Sequence, residues 1–170
     1  MGITLLVGGA RSGKSARALR LASDWDGQVV FVATAEDRDS EMAARIARHR
    51  LERPASWRTI EAPLELVRAF DSIPAGAFVI LDCLTLWVAN ALEAGWTDED
   101  VERAAAAVAT IAAGRERPTV VVTNEVGLGV VPRTALGRAY RDLLGRVNAV
   151  FAAEAEHAYL MIAGRTLELT

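Results

Sequence analysis

Short apolar runs alternate along the chain with longer segments in which apolar residues recur at helical spacing. The apolar runs predict strands at residues 3–7, 29–33, 78–82, 119–123, 158–163 and 166–169. The helical segments cover residues 14–24, 38–52, 63–72, 84–94, 98–113 and 134–154. Most of the strand runs are continuously apolar, which is typical of parallel strands covered on both faces.

This β-α alternation predicts an α/β fold, with a mainly parallel sheet and helices on both of its faces. Gly164-Arg165 is expected to form a tight turn, which makes the last strand antiparallel to its neighbour. A short edge strand is also expected to end near Glu61. The chain has 170 residues and no repeats or low-complexity linker, so residues 1–170 are expected to form a single nucleotide-binding domain.

A glycine-rich loop connects the first predicted strand to the first predicted helix. It reads Gly8-Gly9-Ala10-Arg11-Ser12-Gly13-Lys14-Ser15, which fits the G-x-x-x-x-G-K-[ST] spacing of a phosphate-binding loop. In such a loop the backbone N–H groups and the helix N-terminus face an anion. We expect Lys14, the only lysine of the chain, to contact the terminal phosphates, and Ser15 to ligate Mg²⁺.

Composition narrows the possible partners. The formal net charge of −3 argues against a nucleic-acid surface driven by bulk charge. No apolar run reaches the length of a transmembrane helix, and the N-terminal residues already fit a strand and a loop rather than a signal peptide. Cys83 is the only cysteine, which excludes an internal disulfide, fits a reducing cytoplasm and favours a buried structural thiol.

Polar residues follow two of the predicted strands. Asp82 ends the apolar run 78–81 and could hold Mg²⁺, or alternatively cap the next helix. Asn124 and Glu125 follow the run 119–122, where Asn124 could sense the γ-phosphate and Glu125 could position a nucleophile or a Mg²⁺-bound water. The alternative is that both residues cap a loop. The segment 127–132, apolar and broken by glycine, either covers a bulky apolar ligand or forms a packed connection.

The predicted second helix carries His49 among several arginines. Its spacing places Met42, Ala43 and Ile46 on a core face, and Arg45 on the same side as His49. The positive charges would attract a triphosphate, although a histidine in such surroundings is commonly a solvated surface residue. Glu61 could accept hydrogen bonds from a ribose or a base, or else cap a helix.

Several runs of the sequence match one family over nearly the whole chain. They are the phosphate loop, Ala33-Thr34-Ala35, residues 41–46, His49, Arg53-Pro54, Trp57-Arg58-Thr59, Asp82-Cys83-Leu84-Thr85, residues 123–132, Arg141-Asp142 and Gly145-Arg146-Val147-Asn148. With these residues the chain resembles the bifunctional adenosylcobinamide kinase / adenosylcobinamide-phosphate guanylyltransferase family of cobalamin biosynthesis. The T-N-E-V-G-x-G-x-V-P run and the G-R-V-N run are its most specific parts.

The resemblance implies a RecA-like P-loop fold, a homo-oligomer that could be a trimer, and two reactions. The first phosphorylates adenosylcobinamide with ATP or GTP, and the second transfers GMP from GTP to adenosylcobinamide-phosphate. It implies that His49 carries GMP as a phosphoramidate. It also implies guanine-nucleotide contacts at Ala33, Thr34, Ala35, Arg50, Leu51, Glu52, Arg53, Glu61 and Asp82. The alternatives are a small-molecule kinase that lacks the transferase step and a nucleotide-binding module without enzymatic activity.

Overall fold

A single seven-stranded sheet organises the protein, and the computed structural model describes residues 2–170 of it. The strands are β1 (Ile3–Gly8), β2 (Val29–Ala33), β3 (Arg58–Glu61), β4 (Phe78–Asp82), β5 (Thr119–Asn124), β6 (Ala155–Ile162) and β7 (Arg165–Leu169). The helices are α1 (Lys14–Ser23), α2 (Ser40–Leu51), α3 (Leu66–Asp71), α4 (Leu84–Glu93), α5 (Asp98–Ala113) and α6 (Ala135–Glu154). None of these helices has the length and apolar character needed to cross a membrane.

The strand order is β3-β2-β4-β5-β1-β6-β7, and all neighbours are parallel except β6 and β7. This confirms the predicted mainly parallel sheet and its antiparallel last strand. Because β1 runs parallel to β5, which in turn runs parallel to β4, the carboxyl ends of these three strands lie at the same edge of the sheet. Ligands of open α/β sheets bind at this edge, so the topology places the phosphate loop where a ligand is expected.

The sheet separates two apolar cores. Side chains of successive strand residues point to opposite faces, so in β4 Val79 and Leu81 enter one core while Phe78 and Ile80 enter the other. Helices α3 to α6 pack on the first face, and α1 packs on the second. Both faces are therefore covered, which explains why the strands of this sheet read as continuous apolar runs.

Three expectations about the elements were wrong, each for a physical reason. Helix α3 begins at Leu66 rather than at 63, because the carbonyl groups of Pro63 and Leu64 accept side-chain hydrogen bonds instead. Strand β6 begins at Ala155 rather than at 158, because it pairs with β1 from Ile3 onward. Helix α2 buries no residue, so its apolar face lies outside both cores.

Candidate active site

The phosphate loop joins β1 to α1 and holds its own lysine. Gly13 takes the left-handed φ of 96° that precedes the first turn of α1. Lys14 is buried, and its Nζ donates hydrogen bonds to Gly8 O at 2.9 Å, Gly9 O at 2.7 Å and Ser12 Oγ at 3.3 Å. Burial lowers the pKa of the Lys14 ammonium from its ordinary value. A nucleotide phosphate that binds Lys14 therefore replaces partners within the loop.

Gly8 leaves no room for a side chain. A Cβ on Gly8 would lie 2.3 Å from the carbonyl oxygen of Met161, a residue of β6 that pairs directly with Gly8. We expect Gly8→Ala to destabilise the protein by about 1–3 kcal/mol, because a backbone atom cannot rotate out of the way. Gly9→Ala is the matched control, since nothing lies within 4 Å of a Cβ there. Urea unfolding compares the two variants, and equal losses of stability would contradict the expectation.

Asp82 ends β4 and faces the first turn of α1. Its carboxylate accepts a hydrogen bond from the Ser15 hydroxyl. Burial raises the pKa of Asp82, while the bond from Ser15 and nearby positive charges oppose this rise. The N-cap residue of α4 is Cys83, which makes no side-chain cap, so the alternative role of Asp82 as a helix cap is wrong. Asp82 and Ser15 thus offer two adjacent oxygen ligands beside the phosphate loop.

A cavity of about 380 Å³ opens between this edge of the sheet and α2. Its walls include Ser15 and Asp82 on one side and Arg45 and His49 on the other. Five further residues with implied nucleotide contacts line it: Ala33, Ala35, Arg50, Arg53 and Glu61. The volume falls within the range of small-molecule sites. The apolar face of α2 borders this cavity instead of the core, which is why the core prediction for Met42, Ala43 and Ile46 was wrong.

His49 lies in the last turn of α2 and is partly exposed. Its Nδ1 is 3.5 Å from Glu52 Oε2. With Nδ1 next to this carboxylate, Nε2 is the ring nitrogen left to approach a ligand in the cavity. His49 is one of the groups that lower the pKa of the Asp82 carboxyl. His49 and the Asp82 end of the phosphate site therefore share one ligand space.

The far end of the cavity is built from charged side chains of α2 and the edge of the sheet. Arg50 forms an ion pair with Glu61, the last residue of β3. The Arg53 guanidinium lies 4.0 Å from the centre of the Phe31 ring, and its Nε donates to the carbonyl of His49 at 2.9 Å. The N-cap residue of α3 is Glu65, so Glu61 is not the helix cap that was its alternative.

Besides the seven phosphate-loop residues 8–14, four of the predicted site residues stand outside the cavity walls. Thr34 is fully buried, and Leu51 is 87% exposed to solvent. Glu52 contacts the cavity only through His49. Glu125 accepts a hydrogen bond from the backbone N–H of Gly127, which is the loop-capping arrangement, so its catalytic role stays a prediction. Among the phosphate-loop residues, only Ser15 lines the cavity itself.

Comparison with known proteins shows which family has this sequence. The family model described as cobinamide kinase / cobinamide phosphate guanyltransferase matches residues 4–169. A bifunctional adenosylcobalamin biosynthesis protein of Pseudomonas aeruginosa, CobP, is 41% identical over 97% of this chain and 95% of its own. The Escherichia coli K12 protein of the same description, CobU, is 42% identical over 94% of this chain and 95% of its own.

The chain belongs to the cobinamide kinase / cobinamide phosphate guanyltransferase family.

Solved structures support the fold of this family member. A KaiC-like protein of Pyrococcus horikoshii is 15% identical, with a TM-score of 0.55 over 94% of this chain and 70% of the other. A second protein of that organism is 8% identical, with a TM-score of 0.57 over 98% of this chain and 85% of the other. At such identities the likeness concerns the fold alone, and it confirms the predicted P-loop NTPase architecture.

The asparagine of the G-R-V-N run, Asn148, is buried and has a structural role in this family member. Asn148 on α6 accepts a hydrogen bond from Thr123 Oγ1 at 2.7 Å and donates to Asn124 O at 3.0 Å. The N–H of Asn124 donates to Thr85 Oγ1 at 2.8 Å. These bonds fix the end of β5 between α4 and α6. The sequence carries Asn148 and Thr85 in family-specific runs, but their spacing alone does not reveal that they meet.

A second network supports the β2 side of the cavity. The Thr34 hydroxyl donates to Cys83 O at 2.7 Å and accepts from Cys83 N at 2.8 Å. Asn90 on α4 donates to Thr34 O at 2.8 Å and to Pro63 O at 3.0 Å. Thr34 and Asn90 thus position cavity-lining backbone without lining the cavity themselves. Burial, with a smaller contribution from Asp82, raises the pKa of Cys83 to about 11, so its thiol stays protonated at neutral pH.

Proposed function

We propose that this protein phosphorylates adenosylcobinamide with ATP or GTP and then transfers GMP from GTP to the adenosylcobinamide-phosphate. The observation that carries the proposal is the shared cavity, in which Ser15 and Asp82 face His49 across a space of nucleotide size. Family membership supplies the two activities, and the cavity gives one nucleotide site that serves both. A homotrimer in the cytoplasm completes the proposal, and this part rests on the family resemblance alone.

In the kinase step the phosphate loop binds and orients the triphosphate. The Lys14 ammonium leaves the carbonyl groups of Gly8 and Gly9 for the terminal phosphates, where it neutralises charge that builds up during transfer. The hydroxyl group of the aminopropanol arm attacks the γ-phosphorus, and the bond to the β-phosphate oxygen breaks. The residues need to supply little covalent chemistry, because positioning and charge neutralisation dominate phosphoryl transfer.

Ser15 and Asp82 fit a Mg²⁺ ion. Both are oxygen ligands, and the effect of Ser15 on the pKa of Asp82 supports their being neighbours that could hold one ion together. Within residues 2–170 no group of three or more His, Cys, Asp or Glu side chains could hold a metal. This agrees with the way proteins hold Mg²⁺, through one or two side chains together with nucleotide phosphates. When bound, Mg²⁺ supplies charge neutralisation at the phosphates.

In the transferase step His49 acts as the nucleophile. Nε2 attacks the α-phosphorus of GTP, the bond to the β-phosphate oxygen breaks, and pyrophosphate leaves. An oxygen of adenosylcobinamide-phosphate then attacks the same phosphorus, breaks the P–N bond and frees the imidazole. Covalent catalysis of this kind divides one difficult displacement into two easier ones. Glu52 lies next to Nδ1, where its negative charge stabilises the positively charged ring that forms while Nε2 is bonded to phosphorus.

The guanine end of GTP would lie toward Arg50, Arg53 and Glu61. The Glu61 carboxylate offers acceptors for the N–H groups of a guanine or the hydroxyls of a ribose, and the Arg50 ion pair holds it in place. Ala33 and Ala35 line the same cavity. Thr34, Leu51 and Glu52 act on the nucleotide only indirectly in this arrangement, because none of them lines the cavity.

Mass spectrometry of the reaction products tests the proposal. Purified protein is incubated with adenosylcobinamide, Mg²⁺ and either ATP alone or ATP with GTP. We expect adenosylcobinamide-phosphate in the first mixture and adenosylcobinamide-GDP with pyrophosphate in the second. A phosphorylated product without the GDP adduct would favour a kinase that lacks the transferase step, and binding of nucleotide without either product would favour a non-enzymatic module.

A further inference from the structure

We propose that residues 126–136, named the apolar loop and including the first two residues of α6, form the surface on which the corrin ring of the acceptor substrate lies. The inference rests on the proposed function, because it assigns a place to the substrate of both reactions. It concerns a part of the protein that contributes nothing to the nucleotide cavity, whose lining residues all precede residue 87.

The first observation is the unusual exposure of this loop. Residues 2–170 contain eight exposed large apolar side chains, and four of them lie in the apolar loop. These are Leu128, which is 83% exposed, Val130 at 95%, Val131 at 60% and Leu136 at 68%. Single exposed apolar residues are ordinary on protein surfaces, whereas a contiguous group marks a binding surface.

The second observation is the location of the loop beside the phosphates. Strand β5 pairs with β1 so that Asn124 lies opposite Gly8, and the N–H of Glu125 donates to Gly8 O at 3.2 Å. The apolar loop therefore leaves the sheet next to the first glycine of the phosphate loop. A molecule resting on it therefore lies beside the phosphate loop, from which the hydroxyl group of an acceptor has to reach the γ-phosphate.

The third observation is that both ends of the loop are fixed while its middle projects. At the start, the Glu125 carboxylate binds the N–H of Gly127. At the end, Arg138 Nη1 donates to the carbonyl groups of Pro132 and Arg133, each at 3.0 Å, and Thr134 caps α6. The exposed side chains are thus presented at a set distance from the phosphate loop.

Size and charge favour the corrin ring over the nucleotide as the occupant. A cavity of about 380 Å³ accommodates a nucleotide but not a corrin macrocycle with its substituents in addition. The acceptor therefore needs another surface that adjoins the phosphates. Residues 126–132 contain no charged side chain, and Arg133 is the only charged residue of the apolar loop, so the surface suits the methyl-bearing faces and neutral amides of a corrin better than an anionic nucleotide. We identify the ligand by this chemistry: a large, largely apolar macrocycle that carries a short hydroxyl arm.

The test combines Leu128→Ser and Val130→Ser in one protein. Equilibrium dialysis with adenosylcobinamide, followed by corrin absorbance, measures binding, and the kinase assay gives KM for the corrinoid. We expect at least a tenfold rise in both the dissociation constant and KM for the corrinoid, with a much smaller change in the affinity for GTP. Leu167→Ser is the matched control, because this residue is 62% exposed on β7 and lies outside the loop.

Each outcome decides the matter. Unchanged corrinoid binding in the double variant would overturn the proposal. So would a change in particle mass by light scattering in that variant, because the loop would then be an interface between copies of the chain. Failure of the proposed function is recognised separately: the wild-type protein would bind the corrinoid in dialysis without phosphorylating it. Because the substituted side chains are exposed, the melting temperature is expected to stay unchanged and confirms intact folding.

Discussion

His49→Ala is expected to lower GMP transfer by at least about a thousandfold while leaving the phosphorylation of adenosylcobinamide within about threefold of the wild type. The imidazole is the only nucleophile that we assign to attack at the α-phosphorus, so its loss removes the covalent step. The kinase step depends on Lys14 in the phosphate loop and on Ser15 and Asp82, which line the cavity opposite His49. Helix α2 buries no residue, so truncation at this position has little core packing to disturb.

Protein labelling from α-labelled GTP measures the loss directly. The wild type is expected to take up an acid-labile, base-stable label, and His49→Ala is expected to take up none. Arg48→Ala is the matched control, since Arg48 is an exposed neighbour on the same helix and does not line the cavity. Transfer of GMP at the wild-type rate by His49→Ala would exclude His49 as the carrier.

Lys14→Met is expected to reduce both activities, with a fall of about a hundredfold to a thousandfold in kcat/KM of the kinase. Methionine keeps most of the length of the lysine stem but removes the ammonium that neutralises the terminal phosphates. The transferase falls as well, because the same loop orients the triphosphate for attack at its α-phosphorus. The two variants are therefore expected to differ in which activities they lose. Lys14→Met weakens both the kinase and the transferase, whereas His49→Ala removes only the transferase.

Folding must be distinguished from catalysis in this variant. The Lys14 ammonium is buried and its pKa is lowered by burial, so the folded protein already carries a desolvation cost for this charge. We expect the melting temperature of Lys14→Met to stay within a few degrees of the wild type. Arg20→Ala, on the exposed side of the same helix, serves as the control. Full guanylylation of His49 in Lys14→Met would mean that the two reactions use separate phosphate sites.

The elements with strong local signals could be predicted almost to the residue. Helix α5 spans 98–113 as expected, because Thr97 and Asp100 form a reciprocal capping box at its start. Elements that depend on distant partners could not be bounded. The first residues of β6 carry no strong strand signal and become strand only because β1 offers them a partner. Likewise, Asn90 and Trp87 on α4 delay the start of α3 by binding the carbonyl groups before it.

The same division holds in the candidate site. The phosphate loop, Asp82 and His49 could be found from motif spacing and family resemblance, and the cavity brings Ser15, Asp82 and His49 together. The bonds of Asn90 to Thr34 and of Asn148 to Thr123 could not be found, because they join residues 56 and 25 positions apart. The apolar face of α2 was predicted to meet the core rather than the cavity, since an amphipathic pattern does not say what its apolar face meets.

The position of β1 has a consequence for how the protein is made. This strand is synthesised first, yet its two neighbours in the sheet are β5 and β6, and Gly164 N donates to Ser12 O at 3.0 Å from the turn that follows β6. During translation β1 must therefore wait for two strands that are made after it. The phosphate loop gains all of its neighbours only when β6 and the turn after it have emerged, so a nascent protein cut short before β6 carries the phosphate-loop sequence without a formed site.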